Sequence, residues 1–149
     1  MPDLNLKIRE GRLEDASAVM GLEEGSIVHP WEQKAIEALI TDRAKRCYVA
    51  ESDGIVIGYV GAELVLDEGN IGNIVTHKDY RGKGIAKALF DALLDDLKKS
   101  GITKLFLEVE HDNEPALGLY TRLGFARDGV RRDYYGKGKD AVLMSLELC

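Results

Sequence analysis

Cysteine, proline and histidine are scarce in this chain, and it has no long apolar run. Its two cysteines, Cys47 and Cys149, have no Cys or His partner at metal-ligand spacing, so free thiols are expected rather than a disulfide framework or a metal site. Cys149 is the last residue, whereas prenylation needs a Cys four places from the end. Three prolines, with 45% hydrophobic and 31% charged residues, exclude a disordered or fibrous chain. No apolar stretch approaches the ~20 residues of a membrane span. Met1-Pro2-Asp3-Leu4, followed by alternating polar residues, is unlike a signal peptide, so a soluble cytoplasmic protein is expected. A formal net charge of -6 argues against general binding to nucleic-acid backbone and favours a basic partner. The 149 residues suit one domain, 1–149, that buries its own core.

Hydropathy patterning gives the elements in order. Leu4, Leu6 and Ile8 alternate with polar residues, the period of a half-buried strand. Asp15 is placed to cap a helix carrying Ala16, Val19, Met20 and Leu22 and ending at Gly25; a second short helix is expected from Pro30-Trp31 through Ala35, Ile36 and Leu39. Between them, Ile27-Val28-His29 is either a plain connector or a wall of a substrate groove. Ser52-Asp53-Gly54 reads as a hairpin turn between strands at 47–50 and 55–60. The second strand is expected to continue to Leu66, with Asp67-Glu68-Gly69-Asn70 turning the chain into a strand ending Ile74-Val75-Thr76. Ile85, Leu89, Leu93 and Leu97 then recur at every fourth position, and Gly101 stops that helix. A strand at 104–110 follows, so strand, helix and strand make a crossover that requires parallel pairing. A helix at 114–123 closed by Gly124, and strands at 125–130 and 141–148, complete an α/β chain.

The junction from Ile74 to Lys87 is the most informative stretch. A short apolar strand enters a basic, glycine-interrupted loop that opens the long helix, whose first N–H groups have no partner within the helix and sit at positive potential. Gly82 and Gly84 let backbone approach a ligand closely, and Arg81, Lys83 and Lys87 add positive charge suited to a diphosphate. A P-loop needs Lys-Ser or Lys-Thr where Ile85-Ala86 stands. A dinucleotide fingerprint needs a third glycine where Lys87 stands, and no insertion between strand and glycines.

Arg81-x-x-Gly84-x-Ala86, with Asn113 and Tyr120-x-x-x-Gly124-Phe125, resembles the GNAT acyltransferases over almost the whole chain. Residues 73–148 resemble the bacterial ribosomal-protein-alanine N-acetyltransferases of the RimI type in Leu107-Glu108-Val109, Leu119-Tyr120-x-x-Leu123-Gly124-Phe125 and Arg131-Arg132-x-Tyr134-Tyr135. His29-Pro30-Trp31 resembles the Pro-Trp of that family's helix-joining loop. The resemblance implies a GNAT fold: a mixed, mostly antiparallel sheet of about six or seven strands, about four helices and a parallel crossover at the acetyl-CoA site. It implies acetyl-CoA as donor, no metal, and a protein N-terminus as acceptor, on a basic ribosomal protein. By resemblance, Ile74, Val75, Thr76, Arg81, Gly82, Lys83, Gly84, Ile85, Ala86, Lys87 and Asn113 contact the cofactor, Glu108 is the base, Tyr120 the acid, and Trp31, Tyr134 and Tyr135 face the acceptor. Gly82 departs from many relatives, which carry a basic residue there, so diphosphate contacts lean more on backbone.

The chemistry requires such groups independently. An amine attacks a thioester only when neutral, so the site needs a proton acceptor near the amine and a group that stabilises the departing thiolate. A phenol near pKa ~10 protonating a thiolate whose thiol sits near ~8.5 is uphill by roughly 2 kcal/mol. His77 and His111 are either proton relays or solvated turn residues. A small amine or a lysine side chain as acceptor, and a module that senses CoA or a nucleotide without turnover, remain the alternatives; a sensor would need neither Glu108 nor Tyr120.

Overall fold

The computed structural model describes residues 5–24 and 32–148. In chain order these form β1 (Leu6–Glu10), a 3-10 turn (Leu13–Asp15), α1 (Ala16–Glu24), α2 (Gln33–Thr41), β2 (Lys45–Ser52), β3 (Ile55–Val65) and β4 (Glu68–Thr76). A second 3-10 turn (Lys78–Tyr80), α3 (Ile85–Lys99), β5 (Lys104–Glu110), α4 (Glu114–Arg122), β6 (Ala126–Arg131) and β7 (Ala141–Glu147) follow. Seven strands make one sheet in the order β1-β2-β3-β4-β5-β7-β6, antiparallel except where β4 meets β5. The expected mixed sheet and crossover are present.

Two layers of helix cover the sheet. The periodic face of α3 buries Ile85, Leu89, Phe90, Leu93 and Leu97 with Leu105, Leu107 and Val109 of β5. Val19 and Leu22 of α1 and Ile36 and Leu39 of α2 form a second core with Val49, Tyr59 and Val75. Within it Glu23 is fully buried and accepts a hydrogen bond from the Tyr59 hydroxyl, so that buried acceptor is satisfied. Asp53 and Gly54, both at positive φ, make the expected β2–β3 hairpin turn.

Three local expectations are corrected. Asp15 does not cap α1; its carboxylate accepts from the Arg12 N–H at 2.7 Å and from the Arg9 guanidinium at 2.8 and 3.0 Å, bracing the turn before the helix. The β3–β4 turn is only Leu66-Asp67, with Leu66 at φ 56°, and Glu68, Gly69 and Asn70 already pair with Val65, Leu64 and Glu63. Gly69 belongs to the strand because a Cβ there would meet Leu105 Cδ2 at 2.8 Å; its glycine serves packing, not turning. The second helix begins at Gln33, and Pro30 and Trp31 lie outside the described residues.

The feature that positions the site is the short parallel ladder. β4 pairs with β5 only at Glu68, Gly69 and Asn70. Two residues later Gly72 is an extra residue in β4, between Ile71, which faces Ala62, and Asn73, which faces Gly61. A bulge bends its strand, so β4 stays on β3 while leaving β5. Behind this strand, Gly58 lies where a Cβ would meet Val75 O at 3.0 Å, Leu89 Cδ1 at 3.3 Å and Ile85 Cγ2 at 3.4 Å. Gly58→Ala should therefore destabilise the fold by about 1–3 kcal/mol through overpacking, read as a lower urea midpoint; an unchanged midpoint would mean that β4 and α3 have slack there.

Candidate active site

The loop before α3 is built on two left-handed glycines. Gly82 at φ 78° and Gly84 at φ 80° turn the chain, and nothing lies within 4 Å of where their side chains would be, which leaves the helix start open. Arg81 donates from Nε to the Thr76 carbonyl at 3.2 Å, tying the loop to the end of β4. His77 accepts from the Asp79 N–H at 3.1 Å and caps the 3-10 turn, a turn role. Lys87 pairs with Asp91 at 2.8 Å one helical turn on.

A cavity of about 690 Å³ opens between this loop, the free side of β4 and α4. Of the residues expected at a cofactor, Ile74, Val75, Thr76, Arg81, Gly82, Gly84, Ile85, Ala86, Lys87 and Asn113 line it, and so does Tyr120. Lys83, between two left-handed glycines, is exposed and does not line it. Tyr80, Pro115, Ala116, Leu119, Arg122 and Leu123 line it as well. For the α4 residues a signal existed, since Ala116 and Leu123 lie four before and three after Tyr120, one helical face. Asn113 caps α4, its side-chain oxygen accepting from the Ala116 N–H at 3.2 Å, which leaves its amide N–H groups to donate.

Tyr120 lies at the inner end of the cavity, 8% exposed, edge-on to Phe125 at 5.8 Å. Its hydroxyl accepts from the Ile74 N–H, so that backbone group points into the gap that β4 opened. Burial first, then the nearby Tyr135, push the phenol up to about 12 against the smaller opposing effect of the Ile74 bond.

Glu108 faces the other way. Its neighbours Leu107 and Val109 are buried with α3, and strand alternation puts the exposed Glu108 on the opposite face. There it lines a second cavity, of about 380 Å³, with Tyr134, Leu39 of α2, Lys45, Glu63 and the bulge residues Ile71 and Gly72. Glu108 and Tyr120 thus belong to two cavities on either side of one gap. The Tyr134 hydroxyl donates to Glu108, which raises that phenol's pKa. Arg131 lies over the Tyr134 ring at 5.1 Å, and Tyr135 stands perpendicular to it at 4.9 Å. Tyr135 is pushed up to about 12 by burial and then by Glu108, and so interacts with both Glu108 and Tyr120. His111 is occupied by Asp140, whose N–H donates to its Nδ1 at 3.2 Å. Trp31 and the loop Ile27-Val28-His29 lie outside the described residues. Among the described residues no group of three or more His, Cys, Asp or Glu could hold a metal ion.

Comparison with known proteins gives a consistent result. The Acetyltransferase (GNAT) family profile matches residues 13–125. The chain is 32% identical over 138 residues to the [ribosomal protein bS18]-alanine N-acetyltransferase of Escherichia coli (strain K12), covering 90% of this chain and 92% of that protein. It is 38% identical over 114 residues to N-alpha-acetyltransferase 30 of Schizosaccharomyces pombe, covering 76% and 71%. The crystal structure of the ribosomal-protein-S18-alanine N-acetyltransferase from Escherichia coli superposes with a TM-score of 0.85 at 29% identity, covering 95% of this chain and 93% of that one.

The environment of Tyr120 predicts a late titration. Its raised pKa means the fold favours the protonated phenol, a stabilisation complete below the ordinary ~10 and lost as pH rises toward about 12. Spectrophotometric titration should show Tyr120→Phe removing a phenol that ionises well above pH ~10. Loss of an ordinarily titrating phenol instead would contradict its burial.

Proposed function

Because the chain belongs to the GNAT acetyltransferase family, we propose that it acetylates the α-amine of a protein N-terminus from acetyl-CoA, its acceptor the N-terminal alanine of a small-subunit ribosomal protein. The observation that carries this reading is the pair of cavities meeting at one gap, with Tyr120 on one side and the hydrogen-bonded Glu108 and Tyr134 on the other. Donor and acceptor can then approach from opposite faces of the sheet. A cytoplasmic location goes with this acceptor.

The first cavity suits a long, anionic donor. The open helix start, the backbone of Gly82 to Ala86, Arg81 and Lys87 hold the diphosphate, and Ile74 to Thr76 offer backbone groups to the pantetheine arm. Lys83 contributes charge at most. Acetyl-CoA supplies the acetyl group as an activated thioester. The Ile74 N–H, held by Tyr120 in the free protein, is the donor placed for the thioester oxygen. Glu108 takes the proton of the attacking amine as the C–N bond forms. Tyr120 hydrogen-bonds the sulfur as the C–S bond breaks. With the phenol at about 12 and a thiol near ~8.5, full donation is uphill by roughly 5 kcal/mol and needs prompt removal of the thiol product, while the hydrogen bond to sulfur already stabilises the departing thiolate.

Acceptor chemistry favours an α-amine. Near pH 7 an α-amine at ~7.7–8.0 needs about 1 kcal/mol to become neutral, whereas lysine at ~10.4 needs nearly 5. One carboxylate base handles the former, and the net charge of -6 attracts a basic protein.

Two experiments test this. A basic peptide beginning with Ala should be acetylated faster than the same peptide amino-blocked with its lysines retained, and faster than a polyamine; the reverse order would overturn the acceptor. Glu108→Gln should lower kcat by about 10²–10⁴, most at low pH where an unassisted amine is protonated, while calorimetry shows acetyl-CoA still bound. Unchanged turnover from pH ~6 to ~9 would remove Glu108 from the reaction.

A further inference from the structure

The loop between β6 and β7, residues 132–140, carries the two tyrosines of the acceptor cavity yet is almost entirely exposed. Little packing holds it, so its hydrogen bonds decide where Tyr134 points. Within the loop the N–H groups of Tyr135, Gly136 and Lys139 donate to the carbonyls of Lys139, Asp133 and Gly136, and a side-chain bond ties the loop to Asp140. The Asp133 N–H donates to Asp140 Oδ1 at 3.0 Å, and the Gly138 N–H donates to Asp133 Oδ1 at 2.8 Å. On its other side, Asp140 accepts from the His111 N–H through its carbonyl at 3.0 Å and donates its own N–H to His111 Nδ1 at 3.2 Å. His111 directly follows β5, three residues beyond Glu108. Asp133 is held at φ 54°, a left-handed conformation that Asp tolerates better than most residues.

We propose that Asp140 is a positioning residue for the acceptor side of the reaction, clamping the tyrosine loop through Asp133 to the end of β5 through His111, so that Tyr134 meets Glu108. Asp140 immediately precedes β7, which pairs with β5 on one side and β6 on the other. A tie there sets the loop in the frame of the strand that carries the base. Asp133, Asp140 and His111 do not line the first cavity, and Tyr134 lines only the second, so loss of the clamp acts first on the acceptor side.

The inference rests on the acceptor reading above, and its test separates the two. Asp140→Ala removes the oxygen that accepts from Asp133, whereas Asp140→Asn keeps an oxygen in that place and loses only the charge. Asp140→Ala should raise the KM for the Ala-initiated peptide up to roughly tenfold, the scale of one lost hydrogen bond, with the KM for acetyl-CoA much less affected; Asp140→Asn should stay within about twofold. Tyr134 provides a readout independent of activity. By NMR of ring-labelled tyrosine, its raised pKa should fall toward the ordinary ~10 in Asp140→Ala and stay raised in Asp140→Asn. If Asp140→Ala does not fold, Asp140→Ser, whose shorter side chain withdraws the oxygen from the Asp133 N–H, should show the same split. A wild-type enzyme inactive on the peptide overturns the acceptor reading, while the Tyr134 titration still judges the clamp. An unmoved Tyr134 pKa in Asp140→Ala, an unchanged peptide KM in an active enzyme, or equal damage from Asn and Ala overturns the clamp.

Discussion

One extra residue in one strand governs the arrangement of the site. The parallel ladder between β4 and β5 stops after three residue pairs, and the Gly72 bulge carries the rest of β4 away. A full ladder would have tied the outward N–H and C=O groups of β4 to β5; the bulge turns them toward a gap instead. Tyr120 enters from the α4 side and takes the Ile74 N–H, while Glu108 faces the gap's other mouth. The cost of opening a sheet at its centre is limited because both covering layers remain intact. α3 packs across β1 to β4 on one face and shares its apolar core with β5, and α1 and α2 cover β2 to β4 on the other.

The gap also sets the electrostatics. Tyr120 is buried deeply enough for its phenol to hold its proton far into the alkaline range. Glu108 lies on an exposed face and accepts from Tyr134 with lone pairs to spare. The two groups differ in environment, one dry and one wet, on opposite sides of the sheet.

Much of this was legible in the sequence, because the signals were local. The period of α3, the Asp53-Gly54 turn, and the glycines and arginine before α3 act within a few residues, and each appears where the pattern put it. The misplaced features depend on distant partners. Gly69 looked like a turn residue because only Leu105, thirty-six positions on, explains its missing side chain. Asp15 looked like a helix cap because Arg9 competes for its carboxylate from the neighbouring strand. The bulge at Gly72 and the clamp at Asp140 have no local signature, being properties of strand register and of a loop meeting a strand end.

The central claim is that donor and acceptor meet in the β4–β5 gap from opposite faces of the sheet. A crystal structure with CoA joined through an acetyl linker to the N-terminus of an Ala-initiated peptide tests it most directly. The diphosphate should lie at Gly82 to Gly84, the linker between Ile74 and Glu108, and the peptide against Tyr134. A ligand with both halves on the α3 side, or with its linker outside the gap, would contradict it.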